Sequence, residues 1–225
     1  MKINANFDEA VAIHTQAMAW VPSPMAGVDR RMLDRIGDEV ARATSIVRYA
    51  PGSHFSEHTH SGGEEFIVLE GVFQDEHGDY PAGTYVRNPV GTHHIPHSDD
   101  GCTIFVKLWQ FDPADQDQLA IDMNSARLNS VPDVPGVSQL VLLESADELV
   151  LLEEWQPGTV RKLGEDGGAE LLVLSGAITF EGEVYGKHGW IRIPPAEIRE
   201  FAAGTGETRI WIKTRHLSDV TAPTV

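Results

Sequence analysis

The chain has 225 residues, 41% of them hydrophobic, with 34 acidic against 17 basic side chains for a formal net charge of -17. That length suits one large domain or two small ones, and that hydrophobic share is enough for real cores. The acidity opposes phosphate backbones, no apolar run approaches the roughly 20 residues of a spanning helix, and the single cysteine, Cys102, excludes an internal disulfide or a multi-cysteine zinc site.

No basic stretch followed by an apolar one opens the chain, so the expectation is a cytoplasmic protein with neither nucleic acid nor membrane as partner. In chain order, the leading segment to about Ala43 offers one short helical candidate, Asp29 to Ile36. Pro51-Gly52 marks a turn before the His54–His60 stretch, and Ser61-Gly62-Gly63 marks the next. Strand-length runs rich in Val, Ile, Phe and Thr follow: EEFIVLEGVF from Glu64, AGTYVRNP from Ala82, and CTIFVKLWQF from Cys102. A second helical candidate, Asp115 to Met123, lies in a polar, Pro-containing linker within Phe111–Val137. ELVLLEEW, ELLVLSGAITF, GWIRIPP and ETRIWIKT are strands of the second half. Turn signals between short strands at these intervals predict an all-β barrel or sandwich.

The chain repeats itself. Pro51-Gly52 matches Pro157-Gly158, Gly62-Gly63 matches Gly167-Gly168, FIVLEG matches LLVLSG, and Gly71 matches Gly176, in order and at an offset of 105–106 residues. A series with so constant an offset implies an internal duplication. The expected domains are 1–125 and 126–225.

Seven of the ten histidines fall between positions 54 and 97. On a strand, residues two apart share a face, so His58 and His60 aim their rings the same way. Gly62-Gly63 turns the chain, and Glu64 returns beside them, with Glu65 on the opposite face. Pro89 and Gly91 bend the chain into His93-His94, of which His94 has the better spacing for a fourth donor. His77 and His97 are expected in loops, and His54 in a supporting or wall position. A lone His-x-His is ordinarily a surface feature; here it comes with a turn, a carboxylate and a later histidine. Three imidazoles and a carboxylate suit one transition metal ion, zinc first, with iron, manganese or nickel as alternatives, and leave a position open for a small molecule. Phe66, Tyr85, Phe105 and Trp109 are candidate pocket walls.

These residues resemble the two motifs of the cupins. Gly52, His58, His60, Glu64 and Gly71 fit the first, and Gly83, Pro89, Gly91 and His94 the second; His97 stands where an Asn is usual. The resemblance implies two tandem jelly-roll barrels, a bicupin, with the metal inside the first. From about Trp20 to Phe111 the text is similar to the cupin domain of ChrR-type anti-sigma factors. This implies a sensor or regulatory protein, an oxidant or small molecule as signal, an extracytoplasmic-function sigma factor as partner, and a homodimer. The cupin region begins almost at Met1, so the sigma-binding zinc domain of that family is not expected here. The alternative is an Fe- or Mn-dependent dioxygenase acting on a small diketone, phenol or organic acid.

At the matching positions of the second half stand Gly164 for His58, Asp166 for His60, Ala169 or Glu170 for the glutamate, and Arg199 or Glu200 for His94. The second barrel is therefore expected to hold no metal, with an arginine at the fourth position pairing with Asp166 or Glu170.

Overall fold

The structure, a computed structural model, describes residues 1–38 and 40–223. Among the described residues the regular structure is almost wholly β, the one helical turn being a 3-10 turn at Thr15–Ala17. No helix among them is long and apolar enough to cross a membrane. Two compact units divide the chain: Met1–Ala5 and Ala19–Ser125 with the chain end from Thr221, and Asn6–Met18 with Ala126–Val220.

Each unit carries the same sheet. In the first, neighbouring strands run Val28–Gly37, Ala41–Tyr49, Cys102–Leu108, Glu64–Asp75 and Thr84–Asn88. In the second, the order is Val137–Glu144, Leu149–Trp155, Thr208–Thr214, Ala169–Ser175 and Trp190–Ile193. All pairs are antiparallel. The expected duplication is thus present strand for strand. The edge beyond the fifth strand is filled differently: Leu119–Asp122 pairs with Thr84–Arg87 in the first unit. In the second, Val11–Ile13 from the leading segment pairs with Trp190–Arg192. An otherwise open edge is covered in both.

Both helical expectations fail. Asp29 to Ile36 lies in the strand Val28–Gly37, paired along its length with Ala41–Tyr49, and 115–123 contains the strand Leu119–Asp122. The misreading of the first has a physical source. A β-bulge between Met32 and Asp34 adds a residue, so the strand loses its period of two and Met32, Leu33 and Ile36 fall at helical spacing. The hairpin partner overrides that local signal.

The interiors differ. Val47, Phe66, Val68, Phe73, Val86, Ile104 and Val106 pack together in the first barrel. The second is filled by apolar side chains, among them Trp155, Leu163, Ala169, Leu171, Phe180 and Phe201.

Candidate metal centre

Each predicted donor is delivered by a separate local device. The short strands His58–Thr59 and His93–His94 pair so that His58 and His94 stand directly opposite, which brings their rings together on one face. Gly62 and Gly63 then reverse the chain. A Cβ at either would overlap the ring of Trp109 or Phe111, so the turn is glycine both for its bend and for close approach of these aromatics. Glu64 starts the long strand and faces the histidines, while Glu65 lies on the other face and accepts a hydrogen bond from the Tyr85 hydroxyl at 2.7 Å.

His58, His60, Glu64 and His94 each offer a donor atom, and the four atoms lie within 4.8 Å of one another. His94 Nε2 is 3.3 Å from Nε2 of both His60 and His58. Glu64 Oε2 is 3.2 Å from His60 Nε2 and 3.7 Å from His94 Nε2. Two atoms bound to one ion at about 2.1 Å each can be no more than about 4.2 Å apart, a limit these four pairs meet, while the 4.8 Å span of the whole cluster requires a small closure around an ion. His60, Glu64 and His94 are buried and His58 is exposed, so the cluster is reached from one side.

The outer ring nitrogens fix the tautomers. The Thr92 hydroxyl donates to the Pro89 carbonyl at 2.7 Å, so it can only accept from His60 Nδ1–H, 2.9 Å away. The Asp75 carboxylate, 3.2 Å from His94 Nδ1, accepts the proton of that nitrogen. His58 Nδ1 is 3.4 Å from the Ser56 carbonyl oxygen. Each ring therefore presents the lone pair of Nε2 to the shared centre, the arrangement expected of histidines that bind metal through that atom.

Electrostatics agree. Burial works to raise the Glu64 pKa, but the hydrogen bond from His60 and the neighbouring rings outweigh it and hold the carboxyl at about 2. Burial lowers the His58 pKa. Burial also opposes protonation of His94, but its bond to Asp75 and the charge on Glu64 outweigh burial and raise its pKa. Cys102 is buried, and that burial pushes its thiol up to about 11, so it is no reactive thiolate.

A cavity of about 510 Å³ opens onto His58, His60 and Glu64. Of the predicted walls only Trp109 lines it. Phe66 is in the core beneath, whereas Tyr85 and Phe105 pair with Ile67 on the opposite sheet face. Tyr49, Phe55, Leu108, Arg30 and Arg35 are the walls that sequence reasoning missed. His54 stacks on His97 at 5.4 Å, and the two lie in paired short strands rather than among the donors. His97 is thus in a strand, while His77 occupies a turn as expected. Asp75 and Thr92 were also missed: they sit outside the ligand spacing, and no sequence signal marks them.

In the second unit the register settles the correspondence. Glu64 pairs with Leu108 and Asn88, and Ala169 pairs in the same way with Thr214 and Ile193. Ala169 is the counterpart, and Glu170 matches Glu65. Gly164 has φ +103, and a Cβ there would run into the Glu197 carbonyl oxygen. The expected pairing of Arg199 is wrong: it forms ion pairs with Glu181 and Glu197 at the surface. Asp166 pairs instead with Arg215, and Glu170 with His216 and the Trp190 indole.

Residues 8–112 match the family model described as the ChrR cupin-like domain. No curated protein matches the sequence significantly. Among solved structures, a protein of Nostoc punctiforme provisionally described as a dioxygenase is similar at TM-score 0.78 and 15% identity, over 97% of this chain and 87% of that one. A Pseudomonas aeruginosa protein, provisionally described as glyoxylate-induced, gives 0.72 and 14%, over 96% and 91%. The pirin YhhW of Escherichia coli in complex with nickel(II) gives 0.64 and 13%, over 91% and 98%. At such identities the likeness is one of fold. Residues 8–112 are thus similar to the ChrR cupin-like domain, and the chain shares its two-barrel fold with these solved structures.

Proposed function

We propose that the first barrel holds one transition metal ion on His58, His60, Glu64 and His94 and serves as a metal-centred sensor of the ChrR cupin type, its signal being a small molecule or oxidant that reaches the metal. The supporting observation is the conjunction of four donor atoms within 4.8 Å with a cavity of about 510 Å³ that opens onto three of the four residues. Zinc is the first assignment, with iron, manganese or nickel served by the same donors. When bound, such an ion supplies Lewis acidity that polarises and orients an oxygen donor of the ligand.

The protein's own residues do the rest. Thr92, Asp75 and the Ser56 carbonyl hold the rings in one tautomer, and Glu64 stays ionised beneath them. Tyr49, Phe55, Leu108 and Trp109 shield the ligand from water. With Cys102 buried and protonated, the signal enters at the histidine cluster rather than by thiol oxidation. The output would pass to a protein partner, for which the family likeness points to a sigma factor, or to a second copy of the chain. Cobalt-substituted protein titrated with azide tests the open position. Its visible spectrum should change with saturation; a spectrum indifferent to azide contradicts the proposal.

A dioxygenase reading is favoured by the same cavity and by the fold shared with the Nostoc protein. Oxygen uptake with simple diketones or phenols, lost in His58→Ala, would select it over sensing.

Two smaller effects follow from the supports. Asp75→Asn keeps the shape but removes the negative charge behind His94; metal affinity should fall about 10- to 100-fold, measured by competition with a chelator. Metal affinity should also fall on acidification. A raised His94 pKa means that its ring takes up a proton already above the ordinary 6.5, so protons compete with the ion from neutrality downward. The loss should approach about tenfold per pH unit below that range. An affinity flat between pH 8 and 5 would contradict it.

A further inference from the structure

The cavity beside the histidine cluster has a cationic wall that metal binding does not use. Arg30 and Arg35 line it together with His58, His60 and Glu64. Both come from the strand Val28–Gly37, where Arg30 pairs with Val47 and Arg35 with Ala43, and Val47 belongs to the barrel interior. Arg30 is half-buried, and its Nε is enclosed with no hydrogen-bond partner. Among the described residues no carboxylate pairs with either guanidinium: Arg35 donates to the backbone carbonyls of Gly37 and Asp38, while the Asp38 carboxylate binds the Met1 ammonium. Glu57, the other acidic residue in the lining among the described residues, is exposed and faces His93.

Two arginines in one cavity of a chain with net charge -17 need a reason. The Arg35 pKa is lowered by burial first and then by the charge on Arg30, with the Asp38 carboxylate opposing them only in part, so the two cations are near enough to repel. An anion between them would relieve that repulsion. A second cavity, of about 610 Å³, shares Met25, Arg30 and Arg35 with the first, which puts the arginines where the two meet.

We infer that the cavity takes a small dicarboxylate, one carboxylate directed to the metal-binding histidines and the other held by Arg30 and Arg35. The carbon chain between them lies against Tyr49, Phe55, Leu108 and Trp109. Arginine suits the distal carboxylate because its planar fork binds carboxylate oxygens in pairs. This inference rests on the metal reading above and names the ligand class of that site.

Calorimetry on the metal-loaded chain tests it, with succinate, glutarate and adipate as probes, pentanoate as the single-carboxylate control and pentane-1,5-diamine as the cationic one. At least one dicarboxylate should bind ten times or more tighter than pentanoate, and the diamine should not bind. Arg30→Gln, which removes no ion pair among the described residues, should weaken that dicarboxylate at least tenfold, leave pentanoate unchanged and keep one metal per chain. Arg30→Lys should restore part of the loss. Dicarboxylates no tighter than pentanoate on wild type, or unaffected by Arg30→Gln, would overturn the inference while a normal metal content and azide response left the metal reading standing. A wild-type chain that takes up no metal would overturn both.

Discussion

His94→Ala should empty the metal site. The Nε2 atom of His94 is the common neighbour of the cluster, 3.3 Å from the same atom of His58 and His60 and 3.7 Å from Glu64. Its removal leaves three donors that no longer surround one point, and it takes away the His94 partner of Asp75, whose side chain is 5% exposed. Metal per chain, by elemental analysis, should fall from about one to below about one tenth. An ion at 100 times its Kd stabilises the folded state by about 2.7 kcal/mol, so wild type should lose several degrees of Tm with a chelator and the variant should not respond. His54→Ala and His97→Ala are the controls. That stacked pair belongs to the same histidine-rich stretch but not to the donors, so both variants should keep their metal. Equal losses in all three would mean that histidine content, not geometry, binds the ion.

Gly164→His should not rebuild a site in the second barrel; it should damage the barrel. The backbone there has φ +103, and a Cβ would meet the Glu197 carbonyl oxygen as well as Ile193 Cγ2 at 3.2 Å. Left-handed strain in a non-glycine residue costs about 1–3 kcal/mol, and overpacking about as much again. The substitution should therefore destabilise the chain by about 3–5 kcal/mol in urea unfolding, without adding metal. Ala169→Glu would bury a carboxylate among Leu163, Leu171 and Ile193 and should also be costly. The second copy thus differs from the first in backbone as well as in ligands. A stable Gly164→His protein that bound a second ion would contradict this.

Much of the architecture was legible because it repeats. Matching turns at a constant offset implied two copies, and the sheets follow one strand order. Three of the four clustered residues were legible because His-x-His on a strand, a glycine turn and a carboxylate after it constrain one another within seven residues, and His94 through the bend at Pro89 and Gly91. What supports them was not. Asp75 reaches His94 from the far end of the long strand, and Thr92 matters through a hydroxyl committed to Pro89; neither position follows a spacing rule. Arg30 and Arg35 were hidden for a different reason: the bulge beside Leu33 gave their strand a helical period, so no face could be assigned to them. The pocket walls failed by parity, since Tyr85 and Phe105 sit on strands next to the site yet point to its other side.

X-ray absorption at the edge of whatever metal the purified chain carries reads the donor set itself. One ion per chain is expected, with a first shell of nitrogen and oxygen at about 2.0–2.2 Å, three of the scatterers showing the outer-shell pattern of imidazole and none of them sulfur. A shell with one imidazole or none, or a sulfur scatterer from Cys102, would contradict it.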